Sequence, residues 1–279
     1  RGAKLAALVL VASASSTSTV LFQTITGNRI LTPSIMGFDA LYILIVTLSV
    51  FALGAQGLFA VPREVQFLAA LVLLVAASLL LFGTLLTQVR ADLMRMILTG
   101  LVMATLFRSL TSFVVRIIDP NEFTAIQVSS YARFSRIETD LLGLSAILIF
   151  AALTAVWRMR HRLDVLGLGH EAAINLGENP RRGTLQILGL IAVLVSVSTA
   201  FVGPVAFLGL IVVSLARFCV ATARHAELLI VAGLVSTITL VGGQTVLVRV
   251  LGLVSPVGVV IDLVGGLVFL VLILRGLRA

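Results

Sequence analysis

Few side chains in this sequence could do chemistry, and their spacing argues against catalysis. The three histidines, His161, His170 and His225, fall in predicted loops at spacings that form no metal site. The single cysteine, Cys219, lies inside an apolar run, which excludes a disulfide framework and a cysteine metal centre. Ser214 and the Ser13–Thr19 cluster have no G-x-S-x-G context and no His and Asp to complete a triad. Small hydroxyl residues of that kind pack helix against helix in lipid. No G-x-x-x-x-G-K-[ST] loop and no dinucleotide fingerprint occurs, so if ATP drives this protein, the ATPase is another subunit.

Two constellations remain. The first is Arg108, mid-way through the apolar stretch LVMATLFRSLTSF with Ser109, Thr111 and Ser112 beside it. A charge in that setting faces a polar path or a partner subunit, or is held structurally by the neighbouring hydroxyls, and both readings stand. Mid-span acids are scarce: Asp39 and Asp140 read as helix caps or first-turn acids, and Asp262 sits near a span end. An ion-coupled secondary transporter would carry more of them.

The second constellation is the polar island LGLGHEAAINLGENPRR at 166–182. Its helix-capable core runs from His170 to Leu176, Gly177 is placed to stop the helix, and Pro180 prevents its return. It is either an ordinary solvated loop or a short rigid knob shaped for a groove on a partner.

The elements that position these groups follow from composition. Hydrophobic residues make up 59% of the 279 and charged residues only 11%, with a mean hydropathy of +1.18, outside the range of water-soluble domains. With about 20 apolar residues needed per bilayer crossing, nine segments qualify: 5–22, 41–59, 67–86, 96–118, 139–157, 185–202, 205–220, 226–247 and 257–275. The seventh is short and follows Gly203-Pro204, which reads as a broken or re-entrant helix. Gly265-Gly266 reads as close helix packing, and Thr32-Pro33 with Gly37 as an inner loop or half-helix.

The 20 basic residues are scattered through short loops, a pattern of membrane topology and not of nucleic-acid binding. Placing 158–184 in the cytoplasm puts 12 basic residues inside and 7 outside, with Arg108 within a span. The positive-inside rule favours that orientation, with the C-terminus cytoplasmic. The outer loop 119–138, with Phe123, Ile126, Tyr131 and Phe134, suits a surface helix or lid, or else a solvated connector.

With these pieces placed, the chain resembles the FecCD-type ABC importer permeases, the membrane subunits of bacterial importers for iron–siderophore complexes, haem and cobalamin. The resemblance covers almost the whole chain and is strongest to the petrobactin and catecholate-type siderophore branch. It rests on STVLFQTITGNRILTPSIMGFDALYIL at 18–44, MILTGLVMATLFRSLTSF at 96–113, GPVAFLGLIVVSLAR at 203–217, GGQTVLVRVLG at 242–252 and DLVGGLVFLVLILR at 262–275. The third block has Val213-Ser214 where the commoner family version carries Pro-His, which agrees with the siderophore branch.

The resemblance implies an all-α polytopic fold, the ten-helix type II permease, with about nine helices here and the first N-terminal helix missing ahead of Arg1. It implies a single transmembrane domain over 1–279, with 158–184 as the cytoplasmic coupling segment. His170, Glu171, Ala172, Ala173, Ile174, Asn175, Leu176 and Gly177 would then dock on an ATPase. Arg108, Ser109, Ser112, Gly203 and Pro204 are candidates for the translocation path or vestibule, to which Arg116, Arg133 and Arg136 could add positive charge for an anionic catecholate iron complex. No cofactor or metal is expected on this chain, and ATP and Mg²⁺ belong to the partner. The expected partners are a second permease, more readily a different one than a copy, two ATPase subunits, an extracytoplasmic siderophore-binding protein and lipid, in the bacterial cytoplasmic membrane. The expected function is import of a ferric siderophore by alternating access. The alternative within the family is haem or cobalamin; an ion-coupled secondary transporter stands further off.

Overall fold

The computed structural model describes residues 2–88, 93–119, 139–220, 224–250 and 257–276, together with Glu122, Ile126, Gln127, Ala132, Phe134 and Gly252. Expectations that rest on Arg1, Phe123, Tyr131, Arg133 and Arg136 lie outside the described residues. All regular structure among the described residues is helical: α1 (Gly2–Thr26), α2 (Phe38–Ala60), α3 (Arg63–Gln88), α4 (Leu93–Val115), α5 (Thr139–Arg158), α6 (Arg160–Leu166), α7 (His170–Asn175), α8 (Pro180–Val202), α9 (Leu208–Cys219), α10 (His225–Thr245, continuing as a π turn over Val246–Val250) and α11 (Val257–Gly276). Six of them are long and apolar enough to cross a bilayer: α1, α3, α4, α5, α8 and α10.

The hub is α1, which packs against α8, α9, α10 and α5. Its sequence explains how one helix can be surrounded. Ala7, Ala12, Ala14, Ser16 and Ser18 are all buried, and small side chains let neighbouring backbones approach from several sides. Several of its hydroxyls bond back to their own helix, as Ser16 does to the Ser13 carbonyl at 3.2 Å and Thr26 to the Phe22 carbonyl at 2.8 Å. Lipid is as apolar as leucine, so helices in it are held by close packing, and interhelical hydrogen bonds add only about 0.6 kcal/mol each. The Ser13–Thr19 cluster is therefore packing surface.

Glycines mark the closest contacts. A Cβ at Gly209 of α9 would lie 2.0 Å from the Thr19 hydroxyl of α1, and one at Gly265 of α11 would lie 2.2 Å from Cβ of Phe207. The expected packing role of Gly265-Gly266 thus belongs to Gly265; a Cβ at Gly266 meets nothing within 4 Å.

The expected break at Gly203-Pro204 is present, and it shifts the next helix later than the apolar run suggests. Gly203 ends α8 with φ 98°, and α9 begins only at Leu208. Its 12 residues span about 18 Å at 1.5 Å per residue, short of the roughly 30 Å hydrocarbon core. Asp262 of α11 fixes the start of α9 by accepting from the Phe207 amide at 3.2 Å. The stretch after Thr32-Pro33 makes a single turn, in which Thr32 Oγ1 accepts from the Ile35 amide, and Gly37, at φ 104°, turns the chain into α2. There a Cβ would lie 3.1 Å from Ala104 of α4. A second break interrupts α2 at Gly54, φ 68°. From the 119–138 loop, Ile126 and Phe134 are buried, the latter in the main core with α1 and α8 residues.

Candidate functional site

The polar island folds as a knob at one end of the bundle. Gly169, at φ 100°, turns the chain from α6 into α7, and α7 closes with a complete Schellman motif. The Glu178 amide donates to the Ala173 carbonyl and the Gly177 amide to the Ile174 carbonyl, both at 2.9 Å, with Gly177 at φ 82°. Asn179 then caps α8, its Oδ1 accepting from the Arg182 amide at 3.1 Å, with Pro180 in the first turn.

One α7 residue points inward and the rest outward. Ala173 is fully buried, whereas Leu168, Ile174 and Leu176 are exposed, as are His170, Glu171, Asn175 and Gly177; Ala172 is half-buried. The exposed apolar side chains of the knob are Leu168, Ile174 and Leu176, and Ala173 anchors it from beneath.

Two joints fasten the knob and α6 to the helices around them. Arg162 of α6 donates from Nε to Glu178 Oε1 at 2.6 Å and from Nη2 to Oε2 at 3.1 Å, and its Nη1 reaches Gln186 of α8 at 3.0 Å. This fork holds the Glu178 carboxyl below its ordinary range and raises the Arg162 guanidinium above its own. Asp164, also on α6, accepts at Oδ1 from both the backbone amide and Nδ1 of His225, each at 2.7 Å. On the far side of the ring, Nε2 lies 2.8 Å from Thr24 Oγ1 of α1, a hydroxyl that also lies 2.8 Å from the Val20 carbonyl. A neutral ring takes the Thr24 proton at Nε2; a charged ring donates there and frees that hydroxyl for Val20. Either way α6 is bonded to α10 and, through the ring, to α1.

No sequence pattern groups Asp164, His225 and Thr24, because they come from three helices separated by up to 201 positions. The local signal available was Asp164 inside an otherwise basic helix.

Residues 1–275 match the FecCD transport family. The chain belongs to that family. The petrobactin import system permease protein YclO of Bacillus subtilis (strain 168) is 42% identical over 98% of this chain and 86% of its own length. The petrobactin import system permease protein FatC of Bacillus anthracis is 31% identical over 96% of this chain and 76% of its own. A solved metal-chelate type ABC transporter in an inward-facing conformation shares the fold, with a TM-score of 0.82 at 23% identity over 99% of this chain and 87% of that one. As a FecCD permease with six long apolar helices, this is a multi-pass membrane protein.

The five FecCD-like blocks map onto α1 with the 27–37 loop and the start of α2, α4, the α8–α9 break with α9, the end of α10, and α11. The path candidates fall on two elements, α4 and the α8–α9 break. Arg108, Ser109 and Ser112 are exposed on α4, one turn beyond the Ala104 contact with Gly37. Gly203 and Pro204 are buried at the α8–α9 break, where Gly203 borders a cavity of about 20 Å³ with Ser15, Ser18, Ser34, Asp39 and Thr199. That volume matches a single water molecule.

Proposed function

We propose that this FecCD permease is the membrane-spanning subunit of an ATP-driven importer carrying a ferric siderophore across the bacterial cytoplasmic membrane. Its full-length likeness to petrobactin import permeases carries the substrate class. The chain does no chemistry of its own. ATP and Mg²⁺ are bound by two ATPase subunits, an extracytoplasmic binding protein delivers the chelate, and a second, different permease completes the path.

The mechanism follows from the two joints. The exposed side chains of Leu168, Ile174 and Leu176 seat α7 in a groove of the ATPase. Because the Arg162–Glu178 fork fixes the knob to α6, and Asp164 fixes α6 to His225, a displacement of α7 is passed to α10 and α1. Since α1 is surrounded by α5, α8, α9 and α10, moving it reorients the bundle and switches the path between outward and inward access.

A strain deleted for this gene tests the substrate class. Growth on a panel of ferric siderophores, haem and cobalamin as sole sources of iron or cofactor is expected to fail on one or more catecholate-type siderophores alone. Failure confined to haem or cobalamin overturns it.

A further inference from the structure

Beside the Asp164–His225 joint lies a cavity of about 520 Å³, lined by Arg29, Arg217, Gln23, Thr24, Asp164 and His225 among others. This is a size that takes a small ligand. Its charge is unbalanced. Arg217 of α9 donates from Nη2 to Gln23 Oε1 at 3.2 Å, and its Nε is shut off from solvent with no partner. Gln23 cannot neutralise that charge, and its own Nε2 is taken by the Arg29 carbonyl at 2.6 Å. Arg29 lines the same cavity as Arg217. The acid in the lining, Asp164, has committed Oδ1 to the amide and ring of His225. Among the described residues, no carboxylate pairs with either guanidinium.

Two like charges held across one cavity repel, and water does not offset them as an anion does. We propose that this cavity is a binding site for an oxyanion of the phosphate or carboxylate class, forked between Arg217 and Arg29. Gln23 and Thr24 belong to α1, Arg217 to α9, His225 to α10, and Asp164 and Leu168 to α6 and the turn before α7. A bound oxyanion therefore braces the knob against the helices it drives, so that occupancy tunes coupling. This does not depend on what the protein transports. The shared chemistry has two sources, a free phosphate and an anionic lipid headgroup.

The purified full chain in phosphatidylcholine nanodiscs, titrated with inorganic phosphate and pyrophosphate against chloride at matched ionic strength, separates the cases. Thermal unfolding is expected to shift upward saturably with either oxyanion and not with chloride. Arg29→Gln, an exposed position that leaves the helices intact, is expected to weaken the midpoint about tenfold or more. Arg217→Lys, which keeps the charge but loses the fork, is expected to weaken it as well. In phosphatidylglycerol discs the phosphate response vanishes if a headgroup already fills the site, and persists if free phosphate is the ligand. No saturable response in phosphatidylcholine, or equal midpoints for wild type and Arg29→Gln, overturns the proposal.

Discussion

In the proposed mechanism one joint of α6 holds the knob and the other passes its movement to the bundle, and single substitutions separate them. Glu178→Gln removes one partner of the Arg162 fork. The loss of roughly 1 kcal/mol is expected to raise local opening of 168–178 about fivefold, read as faster amide hydrogen exchange in that stretch alone. Because Arg162 lowers the Glu178 pKa, the joint is fully present above the unfolded-state value, about 4.3, and is lost only as pH falls through the lower folded value. Protection of the knob should therefore hold from neutral pH to about 5 and fall away in stronger acid. Asp164→Asn has a different signature. It weakens the link to His225 while leaving the exposed α7 face untouched, so co-purification of the ATPase persists and uptake drops about tenfold, on the scale of one charged hydrogen bond.

Among the elements, α7 and the α9–α11 contact make the sharpest demands. Aspartate at Ile174 and Leu176 puts two charges on the proposed docking face without disturbing Ala173 beneath it. Loss of two anchor residues is expected to weaken ATPase binding about a hundredfold or more, measured by co-purification, with membrane insertion unchanged. Gly265→Val forces a side chain into Cβ of Phe207, an atom too close to the backbone to swing away. It should cost about 1–3 kcal/mol and lower the thermal midpoint, whereas Gly266→Val, facing open space, should not. These elements also show what the amino-acid order makes legible. Gly177 with Pro180, and Gly203 with Pro204, announce their breaks locally, because φ above zero and a missing amide are properties of those residues themselves. The inward turn of Ala173, the start of α9 at Leu208 and the cap from Asp262 could not be read the same way. They depend on a partner helix, 55 positions away in the case of Phe207 and Asp262.

For the molecule as a whole, apolar length and the placement of glycine and proline already specify a helical membrane bundle, because bilayer thickness leaves little else for such a chain to form. What they leave open is which helix is central. That place falls to α1, whose string of small residues reads as weakly as any in the sequence until its neighbours are seen on every side. The path candidates show the same limit: Arg108 and the Gly203-Pro204 break are each conspicuous, yet the order of residues does not say that one is exposed and the other buried. The measurement that bears most directly on the proposed function is transport in proteoliposomes holding this chain, a second permease and the ATPase subunits, supplied with binding protein and a radiolabelled ferric catecholate siderophore. Uptake that requires ATP and disappears when Ile174 and Leu176 are replaced by aspartate is the predicted result. Uptake by this chain without the ATPase subunits, driven by an ion gradient, would contradict it.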